Sequence, residues 1–209
     1  MHPNPAFRRE DAARNLAFAR ARGFGVLAMS GGSGAPLLSH VPFLLNAEGT
    51  EADLHLVRSN PIARACTGAM AGRIAVSGPD SYISPDWYEL ADQVPTWSYV
   101  AVHLTGELRP LPPEALWDLL DRLTAKFEEQ LLPKPPWTSG KMSAGVMDKM
   151  MRMIRPYRFE VTGVDGTWKL SQNKPGPVRA RAAEGVAAYG QGQELALLAA
   201  LMRGVDTAG

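Results

Sequence analysis

The residues of this 209-residue chain best placed for chemistry are Arg58-Ser59-Asn60-Pro61. Asn is a favourable helix N-cap and Pro suits the first helical position. The freed amides of that helix start, together with the Arg58 guanidinium and the Ser59 hydroxyl, would suit a phosphate. The same four residues equally make an ordinary capped helix with a surface arginine. A second unusual stretch runs from Gly78 to Tyr99 and carries Tyr82, Trp87, Tyr88, Trp97 and Tyr99 among several prolines. Such rings could wall a flat ligand, pin a long loop to the core or cover a subunit interface. Gly31-Gly32-Ser33-Gly34 lacks the Gly-Lys-Ser/Thr ending of a phosphate loop and precedes Pro36, so it reads as a turn. His40, His55 and His103 fall in expected strands without metal-ligand spacing, and no catalytic acid, base or nucleophile is assigned.

The elements that must position these residues follow from periodicity. Arg8 to Arg22 reads as a helix stopped at Gly23. Strands are expected at Gly25–Met29 and Leu37–Leu45, joined by a hairpin at Ser30–Gly34, and at Asp53–Arg58. A short helix runs to about Cys66, Gly72–Ser77 is a strand, and Gly78–Trp97 is a long loop. A strand follows at Ser98–Leu108. The helix Pro113–Glu129 carries the apolar stripe Leu116, Leu119, Leu120, Leu123 and Phe127, with Asp118 and Arg122 paired outside it. Met142 to Ile154 suggests a Met-rich helix that serves as core or subunit interface. Arg158–Val164 is a strand that Trp168–Leu170 could extend, and Arg179–Arg203 is a helix broken near Gly190-Gln191-Gly192. Hairpin-linked strands with N-terminal, middle and C-terminal helices indicate a mainly antiparallel β-barrel of the α+β class. The chain is expected to be one domain over residues 1–209, with a helical extension at about 177–205.

Composition narrows the function classes. With 45% hydrophobic and 21% charged residues the chain is of ordinary globular type. Its formal net charge of +1 argues against holding DNA by bulk charge. Yet residues 1–133 carry 11 basic and 15 acidic groups, residues 134–209 carry 11 and 6, and most of the excess lies between Lys141 and Arg181. The single cysteine, Cys66, precludes an intramolecular disulfide, and no Cys/His cluster has zinc spacing. The first residues lack the apolar segment of a secretory signal, and no apolar run is long enough to span a bilayer, so a cytoplasmic protein is expected.

Three stretches in order, Gly78 to Tyr88, Val94 to His103 and Gly166-Thr167-Trp168-Lys169-Leu170-Ser171-Gln172-Asn173, follow Ser39-His40-Val41-Pro42 and Arg58-Ser59-Asn60-Pro61. Together, from about Phe7 to about Asn173, they resemble the PaiB-type family of FMN-binding negative transcriptional regulators. The resemblance implies an antiparallel split β-barrel related to the pyridoxamine-phosphate-oxidase-like flavoproteins, a homodimer with FMN at its interface. It implies that the FMN phosphate lies near His55, Arg58, Ser59 and Asn60. The flavin ring would lie along Ser39, His40, Val41, Pro42 and Phe43. Trp97, Tyr99, Lys169, Gln172 and Asn173 would supply other walls, some of them from the second subunit.

Thr167 stands where the family more usually has lysine, which removes one positive charge near the implied site, and the segment from Glu129 to Met153 fits the family pattern poorly. A flavin- or redox-responsive regulator is the leading expectation. An FMN-dependent oxidoreductase of the flavin, nitro or quinone reductase type is the alternative. With no GxGxxG motif, its nicotinamide donor would visit the flavin transiently. A direct DNA-binding repressor is the second alternative, although no helix-turn-helix with a basic recognition helix is evident.

Overall fold

Alternation of apolar residues decides which strand faces are buried. In the computed structural model, which describes residues 1–31, 34–143 and 145–204, seven strands form. They are β1 (Phe24–Met29), β2 (Leu37–Leu45), β3 (Glu51–Val57), β4 (Met70–Ile83), β5 (Thr96–Pro110), β6 (Ile154–Lys169) and β7 (Gly192–Gln193). Their order is β1-β2-β3-β6-β5-β4-β7, with a further β1–β4 pairing. The helices are α1 (Ala12–Arg22), α2 (Pro61–Ala65), α3 (Ala115–Glu129), α4 (Val146–Met151), α5 (Gly176–Tyr189) and α6 (Leu195–Arg203). The chain divides into two compact units. One holds residues 16–76 and 104–164, the other residues 1–15, 77–103 and 165–209.

In the first unit the antiparallel strands close on themselves, because β1 pairs with both β2 (Leu27↔Ser39) and β4 (Leu27↔Ile74). Inward positions are Leu27, Met29, Val41, Phe43, Leu54, Leu56, Ile74, Leu104, Tyr157 and Phe159, all essentially buried. Gly106 is required here: a Cβ would stand 2.0 Å from the Glu160 carbonyl oxygen. On the outer face Asp53 accepts from Arg158 Nε at 2.8 Å and from Arg122 of α3 at 3.1 Å. Burial pushes the Asp53 carboxyl up, but the two guanidinium partners outweigh it and hold it below the usual range. The second unit packs α5 and α6 through Val178, Ala182, Val186, Leu198 and Met202, with Arg179 donating to the Met202 carbonyl at 2.8 Å.

Several boundaries differ from expectation. The first helix starts at Ala12, where the Asp11 side chain accepts from the Arg14 amide at 2.7 Å; Pro5–Phe7 forms a separate 3-10 turn. β4 runs through Gly78-Pro79 to Ile83, where a loop is expected. The cause is non-local: Asp80 and Ser81 pair with Gln193 and Gly192 of β7, a pairing that overrides the Gly-Pro turn signal. The Met-rich segment yields only the six-residue α4, Ile154 already belongs to β6, and Met150 and Met153 are exposed rather than core. The expected Ser30–Gly34 hairpin lies partly outside the described residues, although Met29↔Leu37 pairing brackets it.

Candidate functional site

β2 and the β3–α2 junction are far apart in sequence, and one hydrogen bond joins them. Asn60 Nδ2 donates to Ser39 Oγ at 3.0 Å. The same side chain caps α2, its Oδ1 accepting from the Ile62 amide at 2.9 Å. Pro61 has no N–H, so the helix start offers few free amides, and a five-residue helix has little dipole. The amide cradle read from the sequence is thus largely consumed by its own cap. What remains is side-chain donors: the Ser39 hydroxyl proton, the exposed Ser59 and the exposed Arg58. Arg58 is braced, its Nε donating to the Arg152 carbonyl at 2.6 Å and its backbone amide to the Met153 carbonyl at 2.8 Å.

The neighbouring predicted residues divide. His40 is exposed and stacks on Phe24, ring centroids 6.4 Å apart. Pro42 is half-buried, while Val41 points into the core, so its side chain is unavailable to a ligand on the outside. His55 sits on the outer face of β3, opposite Pro156. Its Nδ1 is buried without a hydrogen-bond partner among the described residues, and burial holds the imidazole below its usual pKa. An orphaned buried nitrogen is a group that a ligand would satisfy.

Trp97, Tyr99, Lys169, Gln172 and Asn173 belong to the other unit, and the structure gives them unlike jobs. A polar cavity of about 480 Å³ is lined by Lys169, Asn173, Lys174, Thr96, Gln93 and Ser171, among others. Lys169 Nζ donates to Thr96 Oγ1 at 2.5 Å, and burial lowers its pKa. Lys174 is hydrogen-bonded to Gln93, and the Tyr88 hydroxyl meets Ser171 at 3.1 Å. Gln172 does not line the cavity: its Oε1 accepts from the Leu170 amide and its Nε2 donates to the Ala6 and Trp168 carbonyls. Trp97 is 44% exposed, its indole N–H on Asp80 at 3.3 Å. Tyr99 is half-buried on the same strand.

Thr167, expected close to the ligand as a missing charge, is fully buried and accepts from the His2 amide at 3.1 Å. Trp168 is buried, with its indole N–H on Asn15 at 2.8 Å and Arg14 over its ring. Gly166 makes room for that Asn15 side chain, which lies 2.0 Å from where a Cβ would stand.

The basic excess from Lys141 to Arg181 has several destinations that the sequence does not reveal. Arg158 holds Glu51 and Asp53, Arg181 meets Glu89, and Lys169 and Lys174 line the polar cavity. Arg152 and Arg155 line another cavity, which Arg58 shares. Their common destination is invisible in sequence because β3 and the start of β6 meet only through sheet pairing. Among the described residues no group of three His, Cys, Asp or Glu side chains could hold a metal ion, and no helix is long and apolar enough to cross a membrane.

The model of the family described as "Putative FMN-binding domain" matches residues 1–163. Protease synthase and sporulation protein PAI 2 of Bacillus subtilis (strain 168) is 28% identical over 143 residues, 68% of each chain. Among solved structures, the FAD and heme binding protein from Mycobacterium smegmatis aligns with a TM-score of 0.56 at 14% identity, covering 78% of this chain and 73% of that one. The flavocytochrome Anf3 from Azotobacter vinelandii aligns at 0.55 and 11%, covering 80% and 72%. At these identities the two structures establish the fold, the α+β split barrel expected from the sequence.

Proposed function

The chain belongs to the FMN-binding domain family of which PAI 2 is a relative, and from that premise we propose how it holds and uses its FMN. The phosphate end lies at the β3–α2 junction, on Arg58, Ser59 and the Ser39–Asn60 pair, with His55 beside it. The observation that carries this reading is the 3.0 Å bond from Asn60 to Ser39, which gathers two separated motifs into one cluster of donors. Hydroxyl and amide donors beside a guanidinium fit a phosphate dianion, since each bond to it is charge-assisted. His40 and Pro42 continue from this cluster along β2 toward the ring. Trp97, Tyr99, Lys169 and Asn173 of a second subunit supply further walls. Phe24 (52% exposed) and Leu38 (61% exposed), on the paired strands β1 and β2, form the apolar face that a second copy covers.

When bound, FMN supplies one- and two-electron redox chemistry. The chain's own part is to fix the phosphate and shield the ring, and the biological role is that of a flavin- or redox-responsive regulator. The test is an absorption titration with FMN and with riboflavin. Saturation at about one FMN per chain, with riboflavin much weaker, supports the reading; equal affinity for the two removes the phosphate assignment.

One observation favours a second reading, an FMN-dependent oxidoreductase: the polar cavity around Lys169, Thr96 and Asn173 has room for a polar co-substrate. Anaerobic mixing of the FMN-loaded protein with NADH or NADPH separates the two. Bleaching of the flavin band favours the oxidoreductase, and a band that stays oxidised favours the regulator.

A further inference from the structure

Among the described residues these six arginines hold a carboxylate at 2.7–3.1 Å: Arg8 with Asp165, Arg14 with Glu10, Arg109 with Glu107 and Glu160, Arg122 and Arg158 with Asp53, Arg181 with Glu89. Arg58, Arg152 and Arg155 do not. Among the described residues none of the three forms an ion pair, and all three line one cavity of about 420 Å³ in the barrel unit. Among the described residues no acidic side chain lines that cavity. Its remaining walls are apolar: Pro110, Leu111, Pro113 and Leu116 from the β5–α3 passage, and Met151, Ile154 and Pro156 from the start of β6.

The rim is stitched by backbone. The Leu111 amide donates to the Pro156 carbonyl at 3.0 Å, and the Arg58 amide and Nε donate to the Met153 and Arg152 carbonyls. Arg152 therefore braces Arg58 with its carbonyl alone, leaving its own guanidinium unspent. Like charges brought together without a counterion repel one another, and an arrangement of this kind gains stability when an anion arrives. A bare phosphate would leave the apolar walls unused, and a hydrocarbon would leave the guanidinium groups unused.

We propose that this cavity is a second ligand site, separate from that of FMN, for an organic oxyanion carried on an apolar body. The Arg152 and Arg155 guanidinium groups take the carboxylate or phosphomonoester head, while Arg58, which forms the border between the two sites, serves the FMN phosphate. The Leu111, Leu116 and Ile154 walls take a body of about ten carbons, in keeping with a cavity of this size. Planar guanidinium forks match either head group, so the chemistry shared by the two defines the ligand class.

The test is calorimetric titration of the FMN-loaded protein with decanoate and with decyl phosphate, beside decyltrimethylammonium as the cationic control. Binding of either anion, absent for the cation and weakened at least about tenfold in R152A/R155A, is the expected result; that loss corresponds to about 1.4 kcal/mol. The tighter of the two anions names the head group. Both substituted side chains are exposed and the backbone brace to Arg58 is retained, so an unchanged circular dichroism melt is expected of the variant. No anion binding, equal binding of the cation, or full affinity in R152A/R155A overturns the proposal. So does anion binding that free FMN displaces competitively, because the cavity would then belong to the flavin. A protein that takes no FMN but binds decanoate through Arg152 and Arg155 fails the flavin reading alone.

Discussion

The cluster around Ser39 and Asn60 and the segment from Gly166 to Asn173 look alike in sequence, each a short motif rich in polar residues, but the chain uses them in opposite ways. At the first, Asn60 spends its amide on a cap and on Ser39, while Arg58 and Ser59 remain on the surface. In the second most of the polar atoms are consumed internally. Gln172 bonds three backbone groups, Trp168 bonds Asn15 and Thr167 holds the N-terminal segment. Only Lys169, Ser171 and Asn173 reach a cavity. A motif can thus be long and distinctive because its side chains complete a fold, and the residues offered to a ligand are those whose donors the fold leaves unspent.

The sharpest way to break this contrast is to remove the buried indole. Trp168→Ala should cost about 3–5 kcal/mol, the range for a large aromatic lost from a core, read as a fall in urea midpoint. FMN stoichiometry per folded molecule should stay unchanged. A variant of normal stability that fails to take FMN would turn Trp168 from a packing residue into a cofactor residue. The complementary change, Arg58→Ala, should act on the ligand instead. Loss of a charge-assisted bond to a phosphate weakens FMN by about 10- to 100-fold and leaves riboflavin nearly untouched, in parallel titrations. Parallel losses for both ligands would erase the difference between the two regions.

The barrel was legible because its signals are local and repeated. The hairpin strand at Leu37–Leu45 and the apolar stripe on α3 are such signals, and both elements form at or within two residues of the expected bounds. The failures have a common cause. Gly78-Pro79 is a strand because β7, more than a hundred residues on, pairs beside it. The Met-rich segment looks like a core helix, yet Met150 and Met153 lie on the surface, since periodicity says which residues share a face and not whether that face is covered. The site shows the same split. Asn60 as a cap could be read from Asn-Pro, whereas its bond to Ser39 and the convergence of Arg58, Arg152 and Arg155 depend on which strands pair.

A smaller effect tests position 167. Read as a sequence, a threonine in place of the family's lysine suggests weakened cofactor binding through a missing charge. In the structure its hydroxyl is buried against the His2 amide. Thr167→Val keeps the shape and removes one acceptor, so about 0.5–1.5 kcal/mol of stability should be lost, with FMN affinity unchanged within error. A large fall in FMN affinity with unchanged stability would return position 167 to the ligand site.

The finest discrimination rests on His55. Burial holds its imidazole below the usual 6.5, so at neutral pH it is uncharged in the folded protein. The sign of the pH effect follows. Above about 6.5 neither the folded nor the unfolded state protonates this group. As pH falls from there, the unfolded chain takes the proton first, and stability drops until the folded imidazole titrates in its turn. His55→Gln should flatten that part of the stability profile. The same residue reports on the ligand: a phosphate dianion nearby favours the imidazolium, so FMN should raise the His55 pKa, and a shift of one unit would correspond to about 1.4 kcal/mol of coupling. An NMR titration of the His55 ring with and without FMN reads this directly. A raised value puts the orphaned Nδ1 among the groups the cofactor satisfies. An unmoved value, with FMN demonstrably bound, makes His55 a packing residue of the outer barrel face, as Gln172 is a packing residue of its own segment.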